Sequence, residues 1–276
     1  MRGRQRGVAL ISVLLVMSLA LLIIGGVLRS HRLMLQSSGL QLQQMHMRQL
    51  GMAGESLALS LLQAQDKNRD LMAEQAADFE IEDARIHVVI EDLAGRFNLN
   101  AILIKGQIDQ VTLHRWKRLL ALLQMPDLQL EQVGALREVS QLRLLPGVDG
   151  QLLGRLEPWV ALLPTDAALN INTARPLVLR TLDGIEAATA DALVHQRTTN
   201  PWPSVQAFTL DPLLAGAEVS SHGLGIDSRW FRITVEVTHG QNRLRLGADV
   251  ERDPKTRQLK VLQRRLLPFN SLEITQ

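Results

Sequence analysis

An unbroken run of 21 uncharged, mostly aliphatic residues at positions 8–28 sets the first limit on what this 276-residue chain can become. Wound as a helix at 1.5 Å per residue, it measures ~30 Å, the thickness of a bilayer's hydrocarbon core. Arg2, Arg4 and Arg6 precede it, and Arg29 and Arg32 follow. Short basic leaders stay on the cytoplasmic side, so the expected topology is a cytoplasmic N-terminus with the bulk of the chain outside. A cleavable secretory signal has a shorter apolar core, ~7 to 15 residues, and a small-x-small cleavage site that Gly25-Gly26-Val27 imitates poorly. An ordinary uncleaved anchor satisfies the hydropathy equally well, so the flanking residues must separate it from other membrane helices.

The remainder has the composition of a folded protein: over the whole chain 46% of residues are apolar and 21% charged. Cysteine is absent, which excludes disulfides, iron–sulfur clusters, thiol catalysis and the usual structural zinc sites. Aromatic residues make up only 3%, too few for a platform that stacks single-stranded nucleic acid. The formal charge of +2 carries no strong attraction to polyanions.

Residues 29–66 continue with helix formers and no proline. The positions Leu40, Met47, Leu50, Gly54, Leu57 and Leu61 step by three, four and seven, one face of an amphipathic helix and a candidate assembly surface. The polar run Asp66-Lys67-Asn68-Arg69-Asp70 ends that stripe. Arg85-Ile86-His87-Val88-Val89-Ile90-Glu91 reads as a strand, and Asp92-Leu93-Ala94-Gly95 as a turn after it. Three further strands fall near the C-terminus, around Phe231 to Val237, Leu244 to Val250, and Leu259 with Val261, joined at Gly240-Gln241-Asn242 and Asp253-Pro254-Lys255. One strand early and three late make a single antiparallel sheet only if residues 97–227 are an insertion.

That middle segment reads as helical. Asp109 or Thr112 can cap a helix whose Trp116, Leu119, Leu120 and Leu123 share a face and which Pro126 stops. Two related units follow, turning at Gly147-Val148-Asp149 and Gly184-Ile185-Glu186, each resembling a helix-hairpin-helix of the SAM-like kind. The second, between Asn170-Ile171-Asn172-Thr173-Ala174 and Trp202-Pro203-Ser204-Val205-Gln206-Ala207-Phe208, is similar to modules of DNA-uptake competence proteins. The alternative function is therefore a membrane-anchored DNA-binding protein. A DNA-binding hairpin leaves backbone N–H groups open to a phosphate, usually with glycine where Asp149 and Glu186 stand. Carboxylates there suit the helix dipole and repel phosphate, and only Arg155 and Arg197 lie near. Structural use of the hairpins is favoured, and nucleic acid is not an expected partner.

The order Arg4-Gln5-Arg6-Gly7 followed at once by Val8-Ala9-Leu10-Ile11 resembles the class III leader of type IV pilins and pseudopilins, cut by a prepilin peptidase between Gly7 and Val8. With Ala53-Gly54-Glu55-Ser56-Leu57-Ala58, the segment from Glu91-Asp92-Leu93-Ala94-Gly95-Arg96 to Phe97-Asn98-Leu99-Asn100-Ala101, Asn170-Ile171-Asn172-Thr173-Ala174 and Ser228-Arg229-Trp230-Phe231, the resemblance becomes specific. It is to the K-type minor pseudopilins of type II secretion, the general secretion pathway protein K family. The implied fold is α+β: a leader at 1–7, a transmembrane and amphipathic helix at 8–66, and a pilin-like α/β domain from 67–96 and 228–276 with an antiparallel sheet. An all-α domain at 97–227 interrupts it.

The implied function is non-enzymatic: capping or initiating the tip of a pseudopilus that assists export of folded proteins from a Gram-negative bacterium. The protein would sit in the inner membrane by a single pass with its bulk in the periplasm. Implied partners are the prepilin peptidase, the major pseudopilin and other minor pseudopilins, with secreted cargo or the secretin meeting the inserted domain. Most pilins carry Glu at the fifth mature residue, and here that position is Ser12. The resemblance makes this a tip feature, since an interior subunit uses that carboxylate to neutralise a neighbour's N-terminal ammonium. The chain departs from the family in lacking an acidic stretch after Pro126. It holds no Asp-x-Asp-x-Asp-Gly loop, so calcium enters only as a family property and no ligands are assigned; Glu80, Glu82 and Asp83 read as a solvated edge. Seven histidines show no HExxH spacing, and neither a Walker loop nor a GxSxG elbow occurs, so no enzyme and no cofactor is expected.

Overall fold

The computed structural model describes residues 5–64, 74–81, 83–104, 106–130 and 136–268, with backbone alone for 5–12. The chain divides into two compact units, Met1–Leu50 and Gly51–Gln276. Helix α1 (Gln5–Ala64) is built from Leu, Met, Ala and Gln without proline. In the first unit, every large apolar side chain from Val13 to Leu28 is more than half exposed, which is tolerable in lipid and costly in water. Ser18 closes its hydroxyl onto the Leu15 carbonyl at 2.8 Å, so it brings no unsatisfied donor into that apolar stretch.

In the second unit, the last turns of α1 lie on a five-stranded antiparallel sheet. Its strands, in spatial and chain order, are β1 (Glu74–Ile81), β2 (Ala84–Asp92), β3 (Trp230–His239), β4 (Asn242–Arg252) and β5 (Leu259–Leu266). One face alternates into the core through Ile86, Val88 and Ile90, Ile233, Val235 and Val237, and Ala248 and Val250. Gly51 and Gly54 let the helix backbone approach that face. A Cβ on Gly54 would stand 2.6 Å from Val235 Cγ1 and 2.8 Å from Ile86 Cγ2. Glu55, 3% exposed, is satisfied by the Arg264 guanidinium at 2.7 to 3.0 Å, and Arg252 donates to the Leu62 carbonyl at 3.0 Å.

The sequence pattern anticipates β2 to β5 but not β1, whose Glu, Ala and Asp have low strand propensity. Pairing with β2 in full register, from Glu74 opposite Glu91 to Ile81 opposite Ala84, makes it a strand. Glu80 lies exposed on that edge strand and Asp83 takes the turn at φ 62°, while Glu82 lies outside the described residues. The same holds for the polar run from Asp66 to Asp70.

β2 and β3 are neighbours, Asp92 opposite Phe231, yet residues 93–229 separate them in the chain. This inserted segment contains α2 (Gln110–Leu122), α3 (Gly150–Leu156), α4 (Pro176–Leu179), α5 (Ala187–Thr199) and α6 (Val205–Thr209). Among its described residues, most buried apolar side chains fall in two cores. One gathers around Phe97, Trp116 and Leu142, the other around Ile171, Leu193 and Phe208. Of the two candidate caps for α2, Asp109 performs the role, accepting from Thr112 N at 2.7 Å. The helix ends with Gln124 at φ 53°, two residues ahead of Pro126.

Candidate functional site

Gly7 and Val8 lie in the backbone of α1, and so does Ser12, but their side-chain environments lie outside the described residues. Beyond the apolar stretch, the stripe read from the sequence divides. Met47, Leu50 and Gly54 are buried, Leu57 is half-buried, and Leu40 and Leu61 are exposed. Three of the six positions are thus buried, since helical periodicity marks an apolar face without saying which neighbour covers it. The exposed apolar positions Leu35, Leu42, Met45 and Met52 form a second stripe at steps of seven and three. The sequence reading missed it because it followed the first.

The two hairpins differ. Around Gly147 (φ 80°), a 3-10 turn at Val139–Leu144 stands where a first helix was expected, and α3 follows. Asp149 caps α3, its carboxylate accepting from Leu152 N at 2.8 Å. The second hairpin, α4 then α5, turns at Gly184 (φ 75°), where a Cβ would come within 2.6 Å of Ala217 Cβ. That turn is covered by the protein's own chain, and Glu186 sits at the N-terminal position of α5. The two candidate phosphate-binding arginines are both spent internally. Arg155 donates to the Leu123 carbonyl at 2.5 Å, and Arg197 to the carbonyls of Ile171 and Ala174 at 2.9 and 2.5 Å. Desolvation lowers the Arg197 guanidinium to about 10, and it remains a cation at neutral pH.

The segments singled out in the sequence converge where the insertion leaves and rejoins the sheet. Asp92 ends β2 with its carboxylate buried. It accepts from Ala94 N at 2.9 Å, from Thr173 Oγ1 at 2.5 Å, from Asn170 Nδ2 at 3.2 Å and from the Ser228 hydroxyl. Burial pushes the carboxyl above its ordinary value, against these four donors, which pull it down. Asn170 also donates to Ser228 Oγ at 2.6 Å. Next to it, Glu91 takes the Arg96 guanidinium bidentately and that of Arg175 at 2.9 Å, and Arg175 reaches Glu74 on β1 at 3.3 Å. Asn172 exchanges two hydrogen bonds with the Trp202 backbone, each 2.9 Å. The bonds that join Asp92, Asn170, Thr173 and Ser228 across 58 to 136 positions leave no local signal in the sequence. Among the described residues no group of three or more His, Asp or Glu side chains is placed to hold a metal.

The protein-family model described as type II secretion system (T2SS), protein K matches residues 169–227. The chain is 28% identical to the type II secretion system protein K of Pseudomonas aeruginosa, over 96% of this chain and 93% of that one. It is 27% identical to the Klebsiella pneumoniae protein of the same name, over 96% and 97%. A solved structure, the GspK-GspI-GspJ complex from the enterotoxigenic Escherichia coli type 2 secretion system, superposes with a TM-score of 0.70 at 22% identity. That match covers 83% of this chain and 98% of the solved one. The likeness first carried by the leader, the long helix and the segments around Asp92 and Asn170 thus extends over nearly the whole chain, in sequence to proteins named type II secretion system protein K and in fold to the solved structure.

Proposed function

We propose that this protein is a non-enzymatic minor pseudopilin that caps or initiates a pseudopilus tip, anchored in the inner membrane by α1 with its folded part in the periplasm. The observation that carries this reading is likeness over nearly the full length to two proteins named type II secretion system protein K. The membrane assignment is supported by one described helix long and apolar enough to cross a bilayer, near the N-terminus, with a mean hydropathy of 2.3 in its most apolar window. Its action is assembly. The partners would be counterparts of the GspI and GspJ found with GspK in the solved complex, met through the exposed stripe Leu35, Leu42, Met45 and Met52. The DNA-binding alternative is disfavoured by the covered Gly184 turn, the Asp149 cap and the committed Arg155 and Arg197.

The experiment is the intact mass and N-terminal sequence of the protein recovered from membranes with and without an active prepilin peptidase. Peptidase-dependent loss of residues 1–7, leaving Val8 first, is the expected result. An unprocessed N-terminus in both strains rejects the pseudopilin route. Processing takes Lys plus Arg from 30 to 27 against 28 acids, leaving a nearly neutral mature chain.

A further inference from the structure

We propose that Asp92 is a positioning residue whose buried carboxylate clasps three separated segments and thereby holds the inserted domain at one angle to the pilin-like sheet. The insertion is joined covalently to the sheet only at the end of β2 and the start of β3, which are adjacent, Asp92 opposite Phe231. Two neighbouring connections define an axis about which an attached domain can turn. A third segment bonded to both connections restricts that turn, and Asn170 with Thr173, far from either connection in sequence, supplies it.

Asp92 comes from the outgoing connection, Ser228 from the returning one, and Asn170 and Thr173 from the middle of the insertion, all buried. The backbone closes on the same point: a Cβ on Gly95 would stand 2.7 Å from the Thr173 carbonyl oxygen, so only glycine permits this approach. Every polar contact made by the Asp92 carboxylate comes from a donor, the pattern that an acceptor-only group requires. The charged side chains beside it are Arg252 on β4, committed to the Leu62 carbonyl and the Phe231 ring, and Glu91, committed to Arg96 and Arg175. A small apolar cluster, Leu93, Ala161, Leu163, Ala167 and Trp230, adds contact at this junction without a directional bond. It attaches; the clasp orients.

The absence of cysteine makes the test direct. Spin labels at Lys260→Cys on β5 and Asp191→Cys on α5, both exposed, report the distance between sheet and insertion in the full-length protein in detergent. The parent and Thr173→Ser, which keeps the hydroxyl, are expected to give one narrow distance distribution. Asp92→Asn, Thr173→Val and Ser228→Ala are expected to broaden or shift it while far-UV circular dichroism stays at the parent value. A parent-like distribution in folded Thr173→Val and Ser228→Ala overturns the proposal, as does equal broadening in Thr173→Ser. Loss of the folded state in all three donor or acceptor variants also overturns it, making the cluster a requirement for folding and not a setter of angle.

Discussion

Two buried carboxylates, one at the end of a sheet strand and one in the insertion, respond to acid in opposite senses. Asp211, 7% exposed, is pushed up by desolvation, but Leu213 N at 2.9 Å, Trp202 Nε1 at 2.9 Å and Gln196 Nε2 at 2.6 Å together hold it below its ordinary value. A lowered folded value means that its contribution to stability is present above 3.8 and is lost as pH falls through the folded value. Asp92, raised, binds its proton more tightly when folded; its contribution is present below 3.8 and lost as pH rises through the raised value. Asp211→Asn should therefore flatten the acid limb of a melting-temperature profile between about pH 5 and about pH 2, and an unchanged limb would refute the assignment. Gly54 is a steric counterpart. Gly54→Leu places atoms where Val235 and Ile86 already stand, and it should cost ~1 to 3 kcal/mol in denaturant titration of the full chain in detergent.

Among the elements, α1 shows how one helix serves two solvents. Its lower part exposes aliphatic side chains as lipid requires, and its upper part narrows to Gly51, Gly54 and Ala58 so that backbone meets sheet. The Glu55–Arg264 pair then ties helix to edge strand, and its two halves are unequal, Glu55 buried and the Arg264 side chain 52% exposed. Removing the arginine strands a buried carboxylate, so Arg264→Met should destabilise more than Glu55→Gln. Loss of one partner from a fully buried pair costs ~3 to 5 kcal/mol, and solvent access at Arg264 reduces our expectation to ~1 to 2 kcal/mol. Thermal unfolding of both variants in detergent checks the order. β2 to β5 were readable because β-branched residues alternate with polar ones, whereas β1 was not, because an edge strand rich in Glu and Ala depends on its partner for its conformation.

For the whole molecule, the proposed assembly through the exposed face of α1 can be tested apart from folding. Leu42→Glu with Met45→Glu lies on the exposed stripe, so it should leave the melting temperature unchanged while reducing secretion by at least about tenfold, the effect of losing ~1.4 kcal/mol of association. A normal secretion assay with these changes would reject that face as the contact. The full chain should also show no salt-dependent duplex binding of the kind that phosphate neutralisation produces, and a steep salt dependence in a titration would restore the alternative. Both tests turn on which side chains the fold has already used.

By itself the sequence determined the membrane helix, the alternation that makes four strands, the caps and turn glycines, and the need for an insertion, because each depends on neighbours within a few residues. It carried the family resemblance through short segments whose purpose stayed hidden. Only the tertiary structure decided that Met47, Leu50 and Gly54 are interior, that Arg155 and Arg197 are committed to carbonyls, and that Asp92, Asn170, Thr173 and Ser228 share one carboxylate. Periodicity constrains a residue to a face, but what covers that face, and which distant donor meets a buried acceptor, is fixed when folding removes both from water.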